Sequence, residues 1–234
     1  MKKNLNQKLI NLIEYYNLIN ANFLLSDTPL KRNVNNVTTS FSGTKLQKLK
    51  KLKKSIQLIE NCELKKNATN LVFGDGNISA KIMIIGEGPG AQEDKEGKPF
   101  VGRAGKLLDK MLESIHLNRT KVYISNVVNY RPPENRRPTE IEIERYLPYL
   151  KSHIEIINPK ILILLGSTAL NTIIGNKEVI SRARGKWFQK EIGIVKPWII
   201  ASFHPAFLMR QPEQKKLAWI DLKMIRDKIK NLKR

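Results

Sequence analysis

"KIMIIGEGPGAQEDKEGKPFVGRAGKLLDKML", residues 81–112, runs from an apolar, β-branched stretch through a glycine-rich turn into a helical pattern. Strand, turn and helix in that order form the repeating unit of a parallel sheet. Three more runs of the same kind follow: "KVYISNVV" (121–128), "KILILLG" (160–166) and "PWIIASF" (197–203). Helical stretches separate them at 103–116, 139–157 and 167–175, and another closes the chain at 212–231. Pro138 and Thr139 followed by Glu140 and Glu142 make a good helix start. Apolar strands alternating with helices predict an α/β fold, a three-layer α/β/α arrangement around a central, mostly parallel four-stranded sheet. Ligands of such sheets sit beyond the carboxyl ends of the strands. Functional residues are therefore expected in 86–100, 126–137, 166–168 and 202–210.

Upstream, residues 4–25 are predicted to form an amphipathic helix. Asn11, Glu14 and Asn17 interrupt the apolar core a secretion signal would need, and no small-residue cleavage site follows. Residues 33–44, "NVNNVTTSFSGT", read as a linker, which places a first segment at 1–44 and the main α/β domain at 45–234. Next, "KLQKLKKLKKSIQLI" (45–59) sets Leu46, Leu49, Ile56 and Ile59 near one helical face, with six lysines between 45 and 54. Those lysines fit a solvated face, and they also fit contact with a phosphate backbone.

The chain has 234 residues, enough for one sizeable domain with a normal core. It has no apolar run of membrane-spanning length. Forty-two basic residues face 21 acidic ones, a net charge of +21. Such an excess attracts polyanions, of which nucleic acid is the commonest, although a Lys-, Asn- and Ile-rich composition also follows from AT-rich coding. Cys62 is the one cysteine, which excludes an internal disulfide and a cysteine-only metal site and fits a reducing cytoplasm. A monomer is expected.

The turn after the first strand, "GEGPGA", has the spacing of a phosphate-cradling loop. Its chemistry points elsewhere. Pro89 removes a backbone donor, Glu87, Glu93, Asp94 and Glu96 would repel a pyrophosphate, and the next good helix is not expected before about Arg103. The glycines instead let something flat approach the backbone. Carboxylates suit a reaction that develops positive charge or needs an activated water.

Taken together, "GEGPGAQEDKEGKPFVGRAGKLLDKML", "NVVNYRPPENRRPTEIE" (126–142) and "HPAFLMRQP" (204–212) resemble the three signature segments of the family 4 uracil-DNA glycosylases, in the same order and spacing. The resemblance covers about residues 55–230. It implies a monofunctional DNA repair enzyme that hydrolyses the bond between uracil and deoxyribose and leaves an abasic site. The target base must leave the duplex, at a cost of a few kcal/mol. Phe100 would stack on it, worth about 1–3 kcal/mol. Asn126 would read its O4 and N3–H edge with one amide, which rejects the opposite donor order of cytosine. His204 would steady the negative charge arriving at O2. Gly88 and Pro89 would line the pocket through the backbone. Glu87 and Glu93, with Asp94 as a third candidate, would position water, stabilise the sugar cation or merely hold the loop. Arg131, Arg136, Arg137 and Arg210 would contact phosphates, and Leu208 or Met209 would fill the gap left by the flipped base. His116 and His153 lie outside the motifs and are read as ordinary structural residues.

One family feature is missing. The family holds a four-iron, four-sulfur cluster on four cysteines, but the matching positions here are Ile59, Cys62, Tyr130 and Tyr146. One thiolate cannot hold such a cluster, so no metal or other cofactor is expected, and the four side chains should pack as a small apolar plug. Two other readings compete with excision: a uracil-DNA binding protein with little or no turnover, and a nucleotide-phosphate enzyme using "GEGPGA". No lysine falls where a Schiff-base nucleophile would be needed, so strand cleavage is not expected.

Overall fold

The computed structural model describes residues 41–175 and 178–232. The expected helix at 4–25 and most of the linker lie outside them. The first described helix, α1 (Lys45–Gln57), starts at a capping box in which the Thr44 hydroxyl accepts from Gln47 N–H and the Gln47 side chain accepts from Thr44 N–H. It buries Leu49, Leu52 and Ile56, whereas Leu46 is 51% exposed and Ile59 lies past the helix end. The core-facing stripe is thus rotated from the expected one.

A short helix, α2 (Glu63–Asn67), leads to the sheet. Its strands are β1 (Asp75–Gly76), β2 (Ile82–Gly86), β3 (Tyr123–Asn126), β4 (Ile161–Leu165), β5 (Trp187–Gln189) and β6 (Trp198–Ser202), in the spatial order β1-β3-β2-β4-β6-β5. The four central strands are the four expected ones, and all are parallel. The sheet is six-stranded rather than four-stranded because β1 and β5 add antiparallel edges. These edge strands have two and three residues, too short for the apolar run by which a central strand is read.

Every residue of β2 and β4 is buried, so alternate side chains feed two cores. Met83, Ile85, Leu162 and Leu164 face one, together with α1, α5 (Glu140–Ile157) and α6 (Ser167–Ile173). Ile82, Ile84, Ile161 and Ile163 face the other, with α4 (Arg103–Glu113), α8 (Pro205–Arg210) and α9 (Lys215–Asn231). This is the expected three-layer arrangement. Each fully buried Leu or Ile contributes about 1.5–3 kcal/mol, so the two-sided sheet is the main source of stability. The helices α3 (Ala91–Glu96) and α7 (Ile180–Ala183) complete the described set. Among the described residues no helix is long and apolar enough to cross a membrane.

Candidate active site

A cavity of about 550 Å³ opens beyond the carboxyl ends of the parallel strands. Glu87 follows β2, Asn126 ends β3, Gly166 follows β4, and Phe203 and His204 follow β6; all line it. Gly88 and Pro89 line it as well.

Phe100 is buried and held at φ +54°, a left-handed conformation that costs a side-chain-bearing residue of order 1 kcal/mol. Its carbonyl explains how it stays there. Arg119 donates to Phe100 O and, at 3.1 Å, to Pro99 O, while ion-pairing Asp75 and Asp109 at 2.9 Å each. Gly105 lets that carbonyl in: a Cβ there would lie 1.7 Å from Phe100 O. The phenyl ring faces His204 with centroids 5.5 Å apart and planes tilted by 32°. Asn126 lies beside Phe100, since a Cβ on Gly86 would lie 2.5 Å from Asn126 Oδ1 and 2.5 Å from Phe100 Cζ, and it lines the same cavity as His204. Phe100, Asn126 and His204 therefore meet around one space. Asn126 is 2% exposed, and its Oδ1 has no hydrogen-bond partner. A buried amide oxygen without a partner on a cavity wall is an exception to the usual pairing of buried polar groups.

His204 caps α8. Ala206 N–H donates to its Nδ1 at 3.2 Å, so the neutral ring carries its proton on Nε2 and remains a donor there. Burial, reinforced by Arg210 and opposed by Glu93, lowers its pKa to about 4. The ring is thus a neutral donor through the physiological range. The two other histidines lie outside the cavity. His153 is buried between Phe73 and Tyr123, and His116 is an exposed residue with φ +61°.

The four acids of the loop separate by their partners. Glu93 lines the cavity, but Gly90 N–H donates to its Oε2 at 3.1 Å, and Val101 and Gly102 N–H donate to its Oε1 at 3.0 and 2.8 Å. It caps α3 and ties the loop to the residues after Phe100. Asp94 is 4% exposed and accepts from Thr69 and Asn70 N–H, away from the cavity, which removes it as a water-positioning candidate. Glu96 pairs with Gln92 on the surface. Only Glu87 presents a carboxylate to the cavity without backbone donors on it. The Thr168 hydroxyl donates to its Oε2, and Arg137 Nε lies 3.9 Å from the same oxygen. The loop also differs from expectation in running straight into α3 at Ala91 rather than waiting until Arg103. Glu93 and Asp94 lie in the first turn of α3, where the helix dipole favours them.

The arginines divide too. Arg137 and Arg210 line the cavity with exposed side chains. Arg136 also lines it, but its guanidinium grips Glu142 at 2.8 and 2.7 Å and donates to Arg137 O. Arg131 donates to Asn135 Oδ1 at 2.8 Å within the same loop. Leu208 is a correction: it is 1% exposed in the core beneath α8, so it cannot act as a surface wedge. Met209, next along α8, is partly exposed. Thr168 and Arg119 were not singled out from sequence. Thr168 falls in the segment flagged after β4, whereas Arg119 carries no local signal.

The chain as a whole is similar to known proteins. The family model of the Uracil DNA glycosylase superfamily matches residues 73–223. The chain belongs to the uracil-DNA glycosylase superfamily. It is 42% identical over 190 residues to a type-4 uracil-DNA glycosylase of Sulfurisphaera tokodaii, covering 78% of this chain and 85% of that one. It is 46% identical over 153 residues to the type-4 enzyme of Thermotoga maritima, covering 64% of this chain and 77% of that one. The type-4 enzyme of Archaeoglobus fulgidus is 40% identical over 184 residues, covering 77% and 92%.

The four positions that the resemblance assigns to cluster ligands come together in the fold. Ile59, Cys62, Tyr130 and Tyr146 are all buried in one core. Cys62 Sγ lies 3.3 Å from Tyr146 Oη. Burial, reinforced by Cys62, holds both phenols above their ordinary pKa, so they stay protonated. One thiol, two neutral phenols and an alkyl side chain do not make the donor set of an iron–sulfur cluster. Among the described residues no group of three or more His, Cys, Asp or Glu is placed to hold a metal ion.

Proposed function

We propose that this chain excises uracil from DNA. The bond between deoxyribose C1′ and uracil N1 breaks, water adds its oxygen to C1′, and uracil takes up the proton, which leaves an abasic site. The observation that carries this reading is the convergence of a phenyl ring, an unpaired buried amide and a neutral imidazole donor on one cavity.

Phe100 supplies the stacking face for the extruded base. The Asn126 amide reads O4 and N3–H, and its lack of a partner is relieved when the base arrives. His204 Nε2–H donates to O2 and strengthens as charge collects there, an effect of the oxyanion-hole type. Glu87 faces the sugar side, where it positions water and offsets the developing cation, with Thr168 and Arg137 fixing one of its oxygens. Glu93 is the loop's anchor. Arg137 and Arg210 contact flanking phosphates, while Arg136 would have to leave Glu142 to do so. Met209 takes the wedge role that Leu208 cannot. Residues 45–234 form the catalytic domain, the enzyme acts as a monomer in a reducing cytoplasm, and the Cys62–Tyr146 core replaces the cluster, so no step passes through iron.

The test is incubation with a uracil-containing oligonucleotide in EDTA, followed by hot alkali. Cleavage at the uracil is expected. Retention of the oligonucleotide without cleavage would identify a binding protein instead. Iron and sulfide analysis of the pure protein checks the cluster separately, and one cluster per chain would overturn that part.

A further inference from the structure

A second cavity, of about 620 Å³, lies at the opposite end of the parallel strands. Lys81, Lys121, Lys160 and Lys196 line it, each within two residues of the start of β2, β3, β4 or β6. In the order of the sheet they follow one another as Lys121, Lys81, Lys160, Lys196. Backbone bonds join neighbours in this row: Lys160 N–H donates to Lys81 O at 2.8 Å, and Trp198 N–H to Lys160 O at 2.9 Å. Adjacent strands are about 4.8 Å apart, so four lysine side chains spring from one edge of the sheet. All four side chains are exposed. Lys121 reaches His116 O at 3.0 Å and Lys196 reaches Glu191 at 3.2 Å, but Lys81 and Lys160 have no side-chain partner among the described residues. No Asp or Glu lines the cavity. Its floor is apolar, formed by Ile82, Leu117 and Ile161, with Leu232 42% exposed at the rim.

A row of like charges over an apolar floor calls for an occupant that is both anionic and apolar. The first cavity lies at the other end of the parallel strands, so the two openings face away from each other. A second copy of the chain, at +21, is repelled. Nucleic acid suits it poorly: the floor is mostly aliphatic, and the ring of Trp198 is already covered by Lys228 Nζ, 3.2 Å from its centroid, so no open aromatic face stacks a base. We propose that this cavity docks an acidic segment of a partner protein, with carboxylates on the lysine row and one bulky apolar side chain on the floor.

Fluorescence anisotropy of a labelled peptide carrying four glutamates around a Leu-Phe pair tests this. Low-salt binding is expected, with at least tenfold weakening in a Lys81→Glu/Lys160→Glu variant whose melting temperature and uracil excision are unchanged. A Lys50→Glu/Lys53→Glu variant on α1, with the same change in charge, should weaken binding less than twofold. The proposal fails if the peptide does not bind, if a peptide with Gly-Ser replacing Leu-Phe binds as tightly, or if both variants lose equally. It also fails if oligothymidylate binding, rather than peptide binding, is what the Lys81/Lys160 variant loses.

Discussion

Asn126 has a buried amide oxygen with no partner, which the proposed uracil edge would supply. Asn126→Ala should lower kcat/KM on uracil about 10–100-fold, the worth of an unmade buried hydrogen bond pair, while the protein stays folded; steady-state kinetics and a melting curve check it. Thr168 donates to Glu87, so under the proposed reaction it would act as a positioning residue. Thr168→Val should lower kcat about tenfold, the scale of one hydrogen bond, with KM unchanged, and Thr168→Ser should restore it. His204 stays neutral down to about pH 4. The excision rate should therefore show no imidazole titration near pH 6.5, where an exposed histidine would impose one. A rate profile from pH 5 to 8 decides this.

Among the elements, the turn between β2 and α4 does most of the positioning. Glu93 collects three backbone N–H groups, Asp94 pins the turn to residues 69 and 70, and Arg119 holds the Phe100 carbonyl from the far side. Gly105→Ala would drive a methyl group into that carbonyl. It should displace the phenyl ring and raise KM about 5–150-fold, the loss of about 1–3 kcal/mol of stacking; binding of a uracil-containing strand measures it. A second joint links β6 to α9. Asp221, fully buried, accepts from Ser202 at 2.7 Å and pairs with Arg184. Burial raises its pKa, and Arg184 and Ser202 oppose that rise. Asp221→Ala leaves a guanidinium without its buried partner and should cost about 3–5 kcal/mol, read from denaturant unfolding.

For the whole molecule, charge and protonation set the conditions of stability and binding. His153 is buried against Phe73 and Tyr123, and burial lowers its pKa to about 3. A base with its folded pKa below the ordinary 6.5 binds fewer protons folded than unfolded between those values. Stability should therefore be fully present above about pH 6.5 and fall as pH drops toward 3, by a few kcal/mol, with His204 adding to the slope above about pH 4. Urea unfolding across that range checks the sign, and His153→Phe should flatten the slope. DNA binding by a chain of net charge +21 should weaken steeply with salt. Removing Arg137 or Arg210 should each reduce the salt slope by about 1; an unchanged slope would remove that residue from the phosphate contacts.

The sequence by itself determined the four central strands, the helices between them, the family and the residues that meet at the cavity. Strand and helix periodicity are local properties, and long motifs mark where each strand ends. Only the tertiary structure decided which acid reaches the cavity clear of backbone donors, because Glu87, Glu93 and Asp94 have the same chemistry and differ in which backbone donors the fold brings to them. It likewise showed that Leu208 is core, that the lysines before four separate strands form one row, and that Arg119 holds Phe100. Each of these depends on contacts between segments distant in the chain, which no local pattern records.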